Sequence, residues 1–213
     1  MEFFELIEKR YSVRGYKNQS IEKEKLDKVL KAGILAPTGV NAQGFKIYVI
    51  DTKKYKDDLM KIYHQPWFVE APIVLCLAMA PSKSWIRPWD GKNISDIDAG
   101  IIMDHMILAA SNLGLGTCFI GAFKKYAAVD FLNLEEEYEP VLFTPLGYPN
   151  DNGRNTTRKS VEELVIYKDW FIMGYYIIKL IIDFSKGQFY FKWKNGQTNN
   201  LKSKRFWWYG RYS

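Results

Sequence analysis

The order of hydrophobic and polar positions along the chain predicts a mixture of helices and strands. Apolar residues spaced three or four apart predict helices at the N-terminus and between Ser20 and Pro37. The run at 71–80 is apolar throughout, as expected for a strand in the middle of a sheet that is covered on both faces. The predicted helices cover 3–10, 20–37, 53–63, 95–116 and 160–170, and the predicted strands cover 45–51, 71–80, 116–123 and 139–149.

The order of these elements favours an α+β fold. Strands do not alternate with helices as they do in successive βαβ units, and the chain contains no internal repeat. Ser20 and Ser95 are predicted to cap the helices that follow them, and Asp98 stands at capping-box spacing from Ser95. The buried face of the helix after Ser20 is predicted at Leu26, Val29, Leu30 and Ile34.

Charge and aromatic content divide the chain near residue 170. The net charge of +6 is concentrated in residues 171–213, which hold eight Lys/Arg, one Asp and 13 of the 34 aromatic residues. Residues 1–170 are nearly neutral, with 22 basic and 23 acidic residues. We therefore predict a main domain over 1–170 and a basic, aromatic C-terminal extension over 171–213, in which a strand leads into a turn at Asn195–Gly196. A frame change in the coding sequence near residue 170 would produce the same shift in composition.

The remaining composition excludes several classes of protein. Cys76 and Cys118 both lie among apolar residues, which predicts buried core thiols, and no Cys/His spacing suits zinc. The N-terminus is acidic and amphipathic, unlike a signal peptide, and no apolar run is long enough to span a bilayer. The sequence thus predicts a soluble, cytoplasmic protein without a metal site.

Arg10, Ser12 and Arg14 form the first candidate binding element. Alternate residues of an extended chain point to the same side, so these three groups are predicted to face one way. A guanidinium and a hydroxyl both donate hydrogen bonds to phosphate. The same pattern also fits a solvated basic turn.

The loop between the second helix and the first strand is the second candidate element. Asn41 and Gln43 carry both donors and acceptors, which match the alternating acceptor, donor and acceptor of the pyrimidine edge of a flavin. Thr38 lies beside them, and Gly39 would allow a ring to approach the backbone closely. An ordinary polar loop has the same composition.

Four stretches of the chain together resemble the nitroreductase family of FMN-dependent oxidoreductases. They are RYSVR at 10–14, APTGVNAQ at 36–43, LAASNLGLGTCFIGAF at 108–123, and PLGYP at 145–149 with the later Arg158. The resemblance covers about residues 3–170 and is closest to the short members of the family. It implies a central mixed, mainly antiparallel sheet flanked by helices, and a homodimer with FMN at its interface.

The resemblance also implies roles for individual residues. Arg10, Ser12 and Arg158 would hold the phosphate and ribityl end of FMN, and Arg14 would lie near its pyrimidine edge. The loop at 38–41 would reach the cofactor from the partner subunit, while Ile120 and Gly121 would bring backbone close to N5. The complete predicted cofactor-binding set is Arg10, Tyr11, Ser12, Arg14, Pro37, Thr38, Gly39, Asn41, Gln43, Ile120, Gly121 and Arg158.

The chain departs from the family pattern at a few positions. Gly44 and Phe45 stand where the family usually has a proline and an aromatic residue, which weakens the assignment of Gln43. Thr156 replaces a second basic residue of some relatives, and Lys159 could compensate for it.

The implied activity is the transfer of hydride from NADH or NADPH through FMN to a nitroaromatic, a quinone or a similar small acceptor, with ping-pong kinetics. No side chain is predicted to be catalytic, so His64 and His105 receive no role in the chemistry. Trp67 and Phe68 either pack in the core or stack on a flat substrate.

Three alternatives stay open at this stage. The first is a flavin-binding protein without turnover. The second is a module that binds nucleic acid or an anionic surface through the basic extension, although no RNA-binding signature supports it. The third is another reaction of the same fold, such as dehalogenation, flavin fragmentation or azoline oxidation. The preference between NADH and NADPH is also open.

Overall fold

A computed structural model describes residues 2–153, 156–168, 181–183 and 188–190. The chain forms two compact units, residues 1–156 and 157–213. The predicted functional division into a domain over 1–170 and an extension over 171–213 stays a prediction.

The first unit contains five helices and four strands among the described residues. The helices are α1 (Phe3–Lys9), α2 (Lys23–Ile34), α3 (Lys56–Ile62), α4 (Ser95–Asn112) and α5 (Lys125–Leu132). The strands are β1 (Phe45–Asp51), β2 (Ile73–Met79), β3 (Gly116–Thr117) and β4 (Glu139–Gly147), and short 3₁₀ turns occupy Gly39–Asn41, Pro66–Val69 and Pro81–Lys83. In the second unit, α6 (Val161–Leu164) is followed by an antiparallel pair, β5 (Ile181–Asp183) and β6 (Gln188–Tyr190).

The sheet of the first unit has the strand order β1-β2-β4-β3, and its strands pair antiparallel. The β2–β4 ladder carries one irregularity between Leu77 and Ala78. A single parallel bridge joins Ser12 to Thr117 at the β3 edge. The predicted α+β class with a mixed, mainly antiparallel sheet is therefore confirmed.

Both faces of the sheet are covered, as the apolar run in β2 predicted. Leu75 and Leu77 belong to the cluster that α2 and α4 cover, whereas Val74 and Cys76 belong to the opposite cluster with α3 and α5. Successive residues of a strand point to opposite faces, so only a strand covered on both sides buries every position. Both cysteines are buried and free, as predicted.

The predicted face of α2 is partly wrong. Val29 is buried, but Ile34 is 60% exposed and Gly33 is buried in its place. A Cβ on Gly33 would stand 2.8 Å from Cγ of Met106. Because a glycine at this position lets α2 approach α4 closely, the contact face turns toward the residue that the apolar pattern ignores.

Both predicted serine caps are wrong. Glu22 precedes the first residue of α2, so Ser20 lies outside the helix end. Ile94 occupies the N-cap position of α4, and the buried Ser95 hydroxyl has no hydrogen-bond partner among the described residues. Asp98 does not close a capping box, because its carboxylate accepts a hydrogen bond from the Gly39 N–H instead.

Three other boundaries differ from the prediction. The strand predicted over 116–123 is two residues long, and Ile120 rejoins the sheet through an isolated bridge to Phe143. The helix α5 was not predicted, and the helix predicted over 160–170 is the single turn α6, capped by Ser160 and Glu163. The turn predicted at Asn195–Gly196 lies outside the described residues.

Candidate functional site

The segment that carries Arg10, Ser12 and Arg14 is held as an extended strand on one edge of the sheet. The Val13 N–H donates to the Thr117 carbonyl at 2.9 Å, and the Asn150 N–H donates to the Gly15 carbonyl at 2.8 Å. A Cβ on Gly116 would stand 2.7 Å from a methyl carbon of Val13, so only glycine allows this approach. The three candidate side chains therefore project from a fixed backbone.

The buried thiol of Cys118 is influenced by all three residues. Burial raises the pKa of this thiol, while the Arg14 charge, a hydrogen bond from Ser12 and the Arg10 charge act in the opposite direction. The two charges act over a longer range than the hydrogen bond, so the common direction of the three side chains stays a prediction. Two cations and a hydroxyl on one side of the segment would form a cradle for an anion.

A cleft of about 180 Å³ lies beside the same segment, but it is not this cradle. Its lining includes Arg10, Tyr11 and Val13 and excludes Ser12 and Arg14, so Arg10 is the one residue of the cradle that borders it. It also borders Ser111 and Gly114 at the carboxyl end of α4, where the partial negative charge of the helix disfavours an anion.

Arg14 is positioned by Asp151, which had no role in the sequence prediction, and by Trp67, for which core packing and substrate stacking were both left open. Its N–H donates to Oδ2 of Asp151 at 2.8 Å, and its guanidinium carbon lies 5.8 Å from the ring centroid of Trp67. Trp67 in turn packs edge-on against Tyr63. Trp67 therefore packs against its neighbours and also orients Arg14. In the sequence, Trp67 is only an aromatic residue after a loop, and this pattern is too general to predict that role.

Tyr11 anchors the segment rather than facing the cradle. Its hydroxyl donates to the Asp151 carbonyl at 2.9 Å, and burial together with this contact raises its pKa to about 12. Oδ1 of Asp151 is buried without a hydrogen-bond partner among the described residues.

The loop at 37–43 has an unusual backbone. Val40, Asn41 and Gln43 all have positive φ, at 49°, 58° and 51°. For a β-branched residue such as Val40 this conformation is a genuine outlier, and such strain of about 1–3 kcal/mol is concentrated at functional sites. Val40 is also 75% exposed, so the strain does not serve the core.

The side chains of this loop differ in whether their hydrogen-bonding groups are already used within the chain. The Thr38 hydroxyl accepts from the Gln43 N–H at 3.1 Å, and the Gln43 amide donates to the Asn41 carbonyl at 3.4 Å. Gly39 has a packing reason of its own, since a Cβ there would stand 2.3 Å from Cδ1 of Ile94. The exposed Asn41 amide makes no hydrogen bond within the described residues and is the group most available to a ligand.

The loop and the cradle lie at opposite ends of α4. Gly39 is bonded to Asp98 in the first turn of the helix, whereas Arg10 and Ser111 line the same cleft at its last turn. Thirteen residues separate Asp98 from Ser111, which corresponds to about 20 Å along the helix axis. The structure therefore holds Arg10, Ser12 and Arg14 on one short segment and leaves Pro37, Thr38, Gly39, Asn41 and Gln43 apart from Arg10 within one chain.

Ile120 and Gly121 differ sharply in accessibility. Ile120 is buried, and its N–H and carbonyl both bond to Phe143. Gly121 is exposed, and a Cβ there would meet only Leu142, at 3.8 Å. The chain's own packing therefore does not require glycine at 121, and the space beside it suits the close approach of a flat ring.

Arg158 belongs to the second unit, where it is exposed and its guanidinium donates to the Thr157 carbonyl at 3.4 Å. Its assignment to the phosphate stays a prediction.

No group of three or more His, Cys, Asp and Glu side chains in the described part of the chain is placed to hold a metal ion. Among the helices described, none combines the length and the apolar character needed to cross a membrane.

Comparisons with known proteins match the sequence and the fold to one family. The model of the nitroreductase family matches residues 7–65 and 55–148. A nitroreductase family protein from Clostridium difficile 630 is 35% identical, with a TM-score of 0.73, over 80% of this chain and 100% of that one. A protein of Desulfovibrio desulfuricans solved in complex with FMN shares the fold at 21% identity, with a TM-score of 0.68, over 78% of this chain and 96% of that one.

A curated relative is named for its activity. The NADPH-dependent oxidoreductase of Staphylococcus aureus strain USA300 is 24% identical over 164 residues, or 70% of this chain. The match spans 65% of that relative's own length.

Proposed function

Since this chain belongs to the nitroreductase family, we propose that it is an NAD(P)H-dependent flavin oxidoreductase that binds FMN. The observation that carries the proposal is that Arg10, Ser12 and Arg14 stand at alternate positions of a segment whose backbone is bonded to the β3 edge of the sheet. The activity named for the Staphylococcus relative and the FMN complex of the Desulfovibrio protein support it.

The residues present fit FMN at both ends. Arg10 and Ser12 offer a charged fork and a hydroxyl to the phosphate, and the phosphate contact implied for Arg158 stays a prediction. Arg14 offers a cation to the pyrimidine edge, and the open space beside Gly121 accommodates the ring. Bound FMN would supply the chemistry, taking hydride at N5 from NAD(P)H and passing it to a nitroaromatic, quinone or similar acceptor.

This chain's own residues would orient and tune the cofactor. The backbone bond to Asp151 and the Trp67 ring hold Arg14 in place before any ligand arrives. A cation fixed in this way favours negative charge on the adjacent ring without having to reorganise, which is the main way in which a protein stabilises such charge. No side chain of the described site is required to transfer a proton in this scheme.

The site is proposed to be completed by a second copy of the chain. The strained loop at 37–43 lies about 20 Å along α4 from the cradle and so cannot serve it in cis. Its exposed Asn41 would instead reach the cofactor of the partner. The apolar side chains that α1 exposes at Phe3, Phe4 and Ile7 are consistent with a buried contact between copies.

The first test is the visible absorption of the purified protein, followed by addition of NADPH and then NADH without oxygen. We expect the two-peaked spectrum of an oxidised flavin that bleaches with at least one donor. Steady-state rates with a quinone should then give parallel double-reciprocal plots, because the oxidised nicotinamide leaves before the acceptor binds. A protein that stays colourless after incubation with FMN would refute the proposal, and intersecting plots would refute the ping-pong order alone.

A further inference from the structure

The connection between β2 and α4 forms a small hydrogen-bonded hairpin at residues 85–94. The Ile94 N–H donates to the Trp85 carbonyl at 3.2 Å, and Ile86 and Asn93 form an antiparallel bridge. Toward the tip, the Arg87 N–H donates to the Lys92 carbonyl at 2.9 Å. Gly91 closes the turn with φ of +69°, a conformation that glycine adopts without strain.

The tip of this hairpin carries an ion pair and presents one large aromatic side chain. Nε of Arg87 donates to Asp90 at 2.7 Å, and a second short contact makes the pair a fork-to-fork ion pair. The Asp90 carboxylate also accepts from the Lys92 N–H. Trp89 lies between Arg87 and Asp90 and is 84% exposed. Its ring contacts no other ring inside the described part of the chain.

The base of the hairpin packs directly on the candidate loop. A Cβ on Gly39 would stand 2.3 Å from Cδ1 of Ile94 and 3.2 Å from Cβ of Trp85. The loop and the base of the hairpin are therefore in contact, and a site that the loop reaches would have the hairpin beside it. Four residues separate Trp89 from Trp85, so the tip extends up to about 13 Å from the loop.

We infer that Trp89 stacks on the adenine of NAD(P)H bound at the flavin site which the same loop completes; this inference rests on the proposed function. A dinucleotide carries two flat rings joined by an anionic chain. When the nicotinamide lies on the flavin, the adenine has to lie outside the site, where this platform stands. A small acceptor needs only the flavin face and does not extend to the tip.

The charge of the tip agrees with this occupant. Arg87, Asp90 and Lys92 leave one net positive charge beside the indole, and a cation favours the phosphates that adjoin adenine. An exposed indole can stack on any nucleic-acid base, because every base presents an aromatic face. Such a contact favours binding of the donor without taking part in hydride transfer.

The test compares Trp89→Ala and Trp89→Phe with a control variant, Tyr126→Ala, which removes an exposed aromatic side chain from α5. Rates are measured with NADPH and with reduced nicotinamide mononucleotide, which lacks the adenylate half, using one quinone as acceptor. We expect Trp89→Ala to raise KM for NADPH about tenfold, since base–aromatic stacking has this order of magnitude. KM for the mononucleotide and for the quinone should not change, and Trp89→Phe should recover much of the loss.

Calorimetric titration of the FMN-loaded protein with 5′-AMP gives a second reading that does not depend on turnover. Binding should weaken about tenfold in Trp89→Ala and stay unchanged in Tyr126→Ala. A raised KM for the quinone with both donors would overturn the adenine assignment in favour of an acceptor platform, and unchanged constants would overturn any role for Trp89. Absence of bound FMN, or of turnover with both NADPH and NADH, would refute the proposed function itself, so the two failures are distinguishable.

Discussion

Arg10 and Ser12 would contribute to anion binding in different ways, and substitution can separate them. Arg10→Ala removes a permanent charge, and we expect FMN affinity to fall about 10- to 100-fold, because hydrogen bonds to charged groups have this range of effect. Ser12→Ala removes one hydroxyl donor and should have a smaller effect in the same direction. Quenching of FMN fluorescence on binding measures both dissociation constants.

The control for these variants is Lys53→Ala, which removes an exposed cation in the connection after β1. A fall in affinity that is equal in Lys53→Ala would indicate general electrostatic attraction, not a built cradle. Equal affinity in the wild type, Arg10→Ala and Ser12→Ala would exclude this segment as the phosphate site.

Two glycines of the candidate site offer a matched pair. Gly39→Ala places a Cβ 2.3 Å from Ile94, and overpacking of this kind destabilises a fold by about 1–3 kcal/mol. Gly121→Ala meets only Leu142 at 3.8 Å, so the free energy of unfolding of the apoprotein should stay nearly unchanged while FMN affinity falls. Urea denaturation without FMN and a fluorescence titration with it give the two quantities. Unaltered FMN binding in Gly121→Ala would mean that no ring approaches this position.

The connection between α5 and β4 is fastened to other elements by two ion pairs, and a third pair joins β4 to α5. Glu135 pairs with Lys46 of β1 and Glu137 with Lys83, while Glu139 of β4 pairs with Lys125 of α5. The Tyr138 ring takes part as well, because its centroid lies 4.5 Å from the Lys46 ammonium and 5.3 Å from that of Lys83. Exposed pairs are individually weak, so the network contributes through its number of contacts.

The Glu135–Lys46 pair predicts a pH dependence of stability with a definite sign. The hydrogen bond and charge of Lys46 lower the pKa of Glu135 in the folded state. A carboxylate with a lowered folded pKa stabilises the fold above its unfolded pKa, about 4.3, and loses this effect as the pH falls through the folded value. The wild type should therefore have a higher urea midpoint than Glu135→Gln at pH 7, and the two should converge near pH 3. A difference that persists at pH 3 would assign the effect to packing.

Apolar periodicity located the elements that are buried on both sides or along one face. It succeeded for β2, β4 and α4, where burial extends over many residues, whereas β1 is mostly half-buried and was predicted from its β-branched and aromatic content. It failed where one local contact decided the outcome, as at Gly33, whose missing side chain lets α4 approach, and at Asp98, which bonds to Gly39 rather than to its own helix. Such choices depend on a partner that is distant in sequence.

In the candidate site, too, local patterns could be predicted and contacts between distant residues could not. The alternation of Arg10, Ser12 and Arg14 predicted that they face one side, because an extended strand fixes the direction of its side chains. Asp151 and Trp67, which position Arg14, could not be predicted, since their roles arise only when the sheet brings residues more than fifty positions apart into contact. The positive φ values of Val40 and Asn41 were hidden for the same reason, as neither residue type marks a left-handed turn in the way that glycine does.

The whole molecule is proposed to act as a pair, and mixed pairs test this directly. Arg10→Glu reverses the charge of the cradle, and Asn41→Asp changes the loop without altering its shape or its tolerance of positive φ. Each variant alone should lose FMN-dependent quinone reduction. Coexpression should restore about a quarter of the wild-type rate, because half of the pairs are mixed and each mixed pair keeps one site with both halves intact. A double variant carrying both changes in one chain, coexpressed with the wild type, corrects for expression. Absence of recovery, with mixed pairs demonstrated by differential tags, would mean that the loop and the cradle do not serve a shared site between two copies.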